Sequence, residues 1–89
     1  MAKRNKLEII KDILEIIKDN NNSIKSTPLL RKSNISSSRF KEYFKELKNK
    51  EFIKIIQKPD GRFVALTEKG YKFIEKYQTI INFIDEFEL

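Results

Sequence analysis

Residues 33–66 read SNISSSRFKEYFKELKNKEFIKIIQKPDGRFVAL, and the spacing of their apolar residues changes once, near Asn49. Before the change, Phe40, Tyr43, Phe44 and Leu47 stand at i, i+3, i+4 and i+7, which is one face of a helix. Ser36 is the N-cap of that helix, although Arg39 occupies the place where Glu or Gln would complete a capping box. After the change, Phe52–Gln57 and Arg62–Leu66 are rich in β-branched and aromatic residues, and Lys58-Pro59-Asp60-Gly61 between them supplies turn chemistry. The reading is helix, strand, tight turn, strand. Ser33-Asn34-Ile35-Ser36 ahead of it is a turn whose lone apolar Ile35 can tuck between two helices.

The chain on either side completes the pattern. Leu7, Ile10, Ile13, Leu14 and Ile17, with Ile9 and Ile16 beside them, form a wide helical stripe, so a first helix is expected over about Asn5–Asp19. Asn20-Asn21-Asn22-Ser23 cannot extend that stripe and favours local turns. Ser26-Thr27-Pro28 reads as a helix start, with Thr27 as N-cap and Pro28 at the first helical position, opening a short helix to about Lys32. Thr67 caps a last helix running to about Glu88, in which Gly70 is the only poor helix former. The expected fold is mainly α with a small β-hairpin (α+β), divided into a domain over residues 1–66 and a C-terminal helix over residues 67–89.

With 89 residues and neither cysteine nor histidine, the chain lacks thiolate and imidazole ligands, His-activated nucleophiles and histidine bases. No P-loop, paired-carboxylate or metal-ligand spacing is present, and Asp85 and Glu88, one helical turn apart, are ordinary solvated carboxylates. An enzyme is therefore not expected, nor a cofactor, a metal or a small-molecule substrate. Apolar runs are pairs and triplets, too short for a membrane span, and the N-terminus has no signal-peptide core. A cytoplasmic protein without membrane contact is the expectation.

Charge points to a partner. The net charge is +6, but residues 1–66 carry 16 cations against 8 acids, whereas residues 67–89 carry 3 against 5. A basic excess so placed is the footprint of a polyanion. Three helices followed directly by a hairpin is the order of a winged helix-turn-helix domain, whose third helix enters the DNA major groove. On that geometry the expected DNA-binding residues are Arg31 and Lys32 at the end of the second helix, and Ser37, Ser38, Arg39, Lys41 and Lys45 on the third. Lys58 and Arg62 on the hairpin complete the set. Lys48 shares the third helix's polar face, and Lys54 lies beside the hairpin cations. Arg39 in a first helical turn opposes the helix dipole unless an external phosphate meets it. The alternatives are a merely solvated lysine face, or a winged-helix adaptor that binds protein instead of DNA.

In the last helix, Phe73, Tyr77, Ile80, Ile84 and Phe87 alternate by four and three, with Ile74 and Ile81 flanking. So much apolar surface exceeds what one small domain covers, so Phe73, Tyr77, Ile80, Ile81, Ile84 and Phe87 are the expected interface of a homodimer. Lys69, Lys72 and Lys76 in the first half and Asp85, Glu86 and Glu88 in the second favour an antiparallel coiled coil. The alternative is that this helix folds back on its own domain, as its first turns around Tyr71 and Ile74 are expected to do.

Over nearly its whole length the sequence resembles archaeal winged-helix DNA-binding proteins of the ten-kilodalton chromatin-associated class and related regulators. The resemblance rests on Lys6-Leu7-Glu8-Ile9-Ile10 with Asp12-Ile13-Leu14, on Ser33-Asn34-Ile35-Ser36, and on Leu66-Thr67-Glu68-Lys69-Gly70. It implies a nucleoid-associated or regulatory homodimer on double-stranded DNA, joined by an antiparallel coiled coil of the last helices. The chain departs from the family at Glu51-Phe52-Ile53, where a glycine often precedes the apolar pair.

Overall fold

Asn5 accepts the Glu8 backbone N–H at 2.8 Å and opens α1 (Lys6–Asp19), whose Ile9, Ile10, Ile13, Leu14 and Ile17 are all buried. Each such side chain contributes about 1.5–3 kcal/mol on leaving water, so α1 is the central post of the core. The computed structural model describes residues 4–89. Leu7, expected on the buried stripe, is exposed, and Ile9 takes the inward place. Against α1 pack α2 (Ser26–Ser33), α4 (Glu68–Glu86) and the second strand of an antiparallel hairpin of β1 (Ile53–Lys58) and β2 (Gly61–Leu66), while α3 (Ser37–Asn49) packs on α2 and β1. The order is that of a winged helix, as the sequence pattern requires.

The connections are held by specific bonds. Asn21 and Asn22 both adopt left-handed backbone, and Asn22 Oδ1 accepts the Leu66 N–H at 2.6 Å, pinning the α1–α2 loop to the end of β2. Ile24 and Val64 exchange two backbone hydrogen bonds of 3.2 and 2.7 Å, a one-residue third strand that the loop-like sequence did not reveal. The extended chain then turns directly into α2, which starts at Ser26 with Lys25 at the cap. Thr27 is thus not the N-cap. Pro28 is the third helical residue, still within the turn whose N–H groups have no intrahelical partner. Arg4 fastens the other end of α2, donating to Asp12 Oδ2 at 3.0 Å and to the Ser33 and Asn34 carbonyls at 3.0 and 3.2 Å.

Glu51, at the exit of α3, has φ +62°. It is the left-handed residue of a Schellman closure of α3: Phe52 N–H reaches the Leu47 carbonyl at 2.9 Å and Glu51 N–H the Lys48 carbonyl at 3.1 Å. The Leu66–Gly70 segment locks onto this exit. Thr67 Oγ1 accepts the Gly70 N–H at 3.1 Å, capping α4, and donates to the Glu51 carbonyl. Lys69 Nζ donates to the Lys50 carbonyl at 2.9 Å, and Thr67 N–H to the Phe52 carbonyl at 3.1 Å. Gly70 lies so close to the Phe52 carbonyl oxygen that a Cβ there would collide with backbone.

Two substitutions at this junction have opposite expected signs. Gly70→Ala, although favourable in an ordinary helix, should lower unfolding stability by about 1–3 kcal/mol because the Phe52 backbone must move. Glu51→Gly should raise it by roughly 0.5–1 kcal/mol by removing left-handed strain. Urea melts of the two variants check both.

Candidate nucleic-acid interface

The exposed surface of α3 has two chemically different flanks. On one, Lys6 Nζ meets Glu46 Oε1 at 3.1 Å and Lys50 approaches Glu46 Oε2 at 3.5 Å. The hydrogen bond with Lys6, with help from Lys50, outweighs desolvation and holds the Glu46 carboxyl below its usual pKa. Arg39 belongs to this flank, in a shallow cleft with Lys6, Glu42, Tyr43 and Glu46. The flank carries its own counter-charges.

The other flank carries none. Ser37, Lys41, Lys45 and Lys48, at helical spacing, border a cleft of 540 Å³ against Ser26, Thr27 and Leu30 of α2, with Phe40 and Phe44 between them. Phe44, Lys48 and Ser26 also line a smaller cleft of 210 Å³ whose far wall is the hairpin, at Ile55, Arg62 and Phe63. One surface therefore runs from the start of α3, past its three lysines and the first turn of α2, to Arg62 on β2. No acidic residue lines either cleft. Among the described residues, none of Lys41, Lys45, Lys48 and Arg62 forms a salt bridge.

The structure brings Ser37, Lys41, Lys45 and Arg62 together from the sequence-predicted set. Ser38 is exposed beside them, its Oγ 3.4 Å from that of Ser36. Arg31 is exposed at the end of α2, outside both clefts. Lys32 points away from α3, with Nζ 3.4 Å from Asn20 Oδ1, because three residues from Leu29 and two from Leu30 carry it around to the α1 side. Lys58 is half-buried: it donates to Ser23 Oγ at 2.9 Å and covers the Phe63 ring at 4.7 Å, with Lys25 over the same ring at 5.5 Å. Lys54 faces a different cleft, with Glu51 and Glu68 among its walls, so the hairpin cations do not form one cluster. Lys48, outside the predicted set, is central because it borders both clefts, and its spacing from Lys41 and Lys45 was the available signal.

The final helix also divides in two. Phe73 makes an edge contact with Phe52 at 5.3 Å, Ile74 is buried, and Tyr77 lies beneath Lys11 at 5.6 Å, so these turns of α4 pack on their own domain. Burial opposes the Lys11 charge, but its bond to Asp12 and the nearby Glu15 prevail and raise its pKa. Phe73 is therefore committed to an intramolecular contact. Beyond Tyr77 the apolar side chains have less to cover them. Ile80, Phe83 and Phe87 are 59, 54 and 57% exposed, and Ile81 and Ile84 are half-buried. Phe83, absent from the four-three alternation, joins the stripe through its 4.9 Å ring contact with Phe87.

Comparison with known proteins agrees with this architecture. The profile of the winged helix-turn-helix family matches residues 3–85. The chain belongs to that family. An uncharacterized protein of Methanocaldococcus jannaschii is 34% identical over 83 residues, covering 93% of this chain but only 36% of that protein. The chain thus spans about a third of its curated relative. Among solved winged helices, a winged-helix DNA-binding protein from STIV superposes with a TM-score of 0.73 at 21% identity, over 89% of this chain and 91% of that one. Sso10a-2, a DNA-binding protein from Sulfolobus solfataricus, gives 0.74 at 20% identity over 96% and 86%. The winged-helix fold and family expected from the sequence are thereby shown. No described helix of this winged-helix chain is long and apolar enough to cross a membrane.

If the Lys58 contacts are structural, Lys58→Ala should lower stability by about 0.5–1.5 kcal/mol, the worth of one hydrogen bond and a ring contact. Lys45→Ala, with no partner to lose, should leave the same thermal melt within about 0.5 kcal/mol.

Proposed function

We propose that this protein binds double-stranded DNA as a homodimer, acting as a nucleoid-associated or regulatory protein of the cytoplasm. The observation that carries the reading is the acid-free surface on which Lys41, Lys45 and Lys48 of α3 meet Arg62 of the hairpin and the first turn of α2. Cations without protein counter-charges gain most from phosphate, because no existing pair must be broken and condensed ions are released from the duplex. Ser37, Ser38 and Lys41 at the start of α3 are suited to base edges in the major groove, and Arg62 to the backbone. That two solved proteins of this fold are described as DNA-binding supports the same reading. Arg31 lies near enough in sequence to the α2 contact turn to add a peripheral phosphate contact, while Lys32, Arg39 and Lys58 are already directed elsewhere. The chemistry is binding alone, with no catalytic step.

The dimer reading rests on the exposed Ile80, Phe83 and Phe87 at the end of α4, with the half-buried Ile84 among them. Laid antiparallel, two such helices bury these side chains and bring the lysines of one first half beside the acids of the other second half.

Lys41→Glu with Lys45→Glu should abolish duplex binding in a gel shift while circular dichroism and sedimentation mass stay unchanged; retained affinity would sink the proposal. Four cations per protomer, eight in a dimer whose two copies both engage DNA, imply a slope of roughly −7 in a log–log plot of affinity against salt. Lys58→Gln should leave that slope nearly unaltered, and Arg62→Gln, present in both copies, should reduce it by about two. Ile80→Ser with Phe83→Ser should halve the sedimentation mass without unfolding the domain, whereas an unchanged mass would exclude the α4 interface.

A further inference from the structure

The reading above uses the cations of the α2–α3 cleft and leaves its floor without a role. That floor is apolar, formed by Leu30, Phe40 and Phe44, while the ammonium groups of Lys41, Lys45 and Lys48 stand on the rim. At 540 Å³ the cleft is of the size that small organic molecules occupy. A duplex backbone engages cations and hydroxyls but presents no apolar group to such a floor. Inorganic phosphate likewise leaves it wet, and a neutral hydrocarbon leaves the three lysines without a counter-ion. A molecule with a flat ring and one carboxylate satisfies both halves: the ring displaces water from Leu30 and Phe44, and the carboxylate meets the lysines. The hydroxyls of Ser26, Thr27 and Ser37 at the mouth offer further donors to the same oxygen atoms.

We propose that this cleft binds an aromatic carboxylate, and that its occupancy withdraws the α3 lysines from DNA. The first part stands on the cleft itself, and the second rests on the DNA-binding reading. The carboxylate and DNA would then compete, because they draw on the same ammonium groups.

The test uses the full chain labelled with nitrogen-15, titrated with 2-naphthoate and, separately, with 2-naphthalenemethanol and inorganic phosphate. Saturable amide shifts gathered at Leu30, Ser37, Phe44 and Lys45 are expected with 2-naphthoate, at one equivalent per chain. Lys45→Gln with Lys48→Gln, both exposed and outside any salt bridge among the described residues, should weaken that binding by roughly tenfold. Leu30→Gln should weaken it too, with the amide spectrum of α1 preserved. Equal affinity for the neutral alcohol or for phosphate, or shifts confined to Ile80–Phe87, would overturn the site. Anisotropy of a labelled duplex reads the second part: displacement by 2-naphthoate supports it, and undiminished DNA binding at saturating 2-naphthoate refutes it. Absence of DNA binding before any 2-naphthoate is added would instead refute the DNA reading and leave the naphthoate titration standing.

Discussion

The junction between the exit of α3 and the entry of α4 is the constraint on which the remaining geometry depends. Three consecutive carbonyls, of Lys50, Glu51 and Phe52, are taken up by Lys69 Nζ, Thr67 Oγ1 and Thr67 N–H. The bonds fix where α3 stops, how the chain enters β1, and the direction in which α4 leaves. Each bond is worth only about 1 kcal/mol net, but together they set the angle at which two helices and a hairpin meet. Gly70 belongs to the same device, since only a residue without Cβ lets the Phe52 carbonyl approach α4 so closely.

That fixed exit decides which flank of α3 is available to a ligand. Turned one way, the helix sets Glu42, Glu46 and Arg39 beside Lys6 of α1, a surface that is already neutralised. Turned the other way, it sets Lys41, Lys45 and Lys48 beside a helix start and a strand with no acid between them. The total charge of the chain is less informative than this separation. A surface lysine paired on its own helix would gain little from a phosphate, because exposed ion pairs are weak and a new one only replaces an old one.

Much of this was legible in the sequence. The change of period at Asn49 located the hairpin, Ser36 and Thr67 were correctly read as caps, and the Pro-Asp turn followed from its residues. Thr27 misled, because Ser-Thr-Pro has the chemistry of a helix start while the actual start was set by the Ile24–Val64 pairing, a long-range contact without local signature. Lys32, Arg39 and Lys58 belong with the other cations only on the expected winged-helix geometry. Their directions depend on helix rotation and on partners such as Asn20 and Ser23, which a periodicity argument does not contain. Phe83 escaped for a related reason: it lies outside the heptad but within reach of Phe87 once the helix is formed. Glu51 marks the converse case: the chain keeps the left-handed turn without a glycine to favour it.

The pairing of Ile24 with Val64 has a mechanical meaning. Its two backbone bonds splice the hairpin to the residue just ahead of Lys25 and Ser26, and the Lys58–Ser23 bond adds a second splice on the same side. The hairpin is consequently not a hinged flap on an independent body. Any displacement of β2 must drag the residues that lead into α2, whose first turn is one wall of the cleft beside α3.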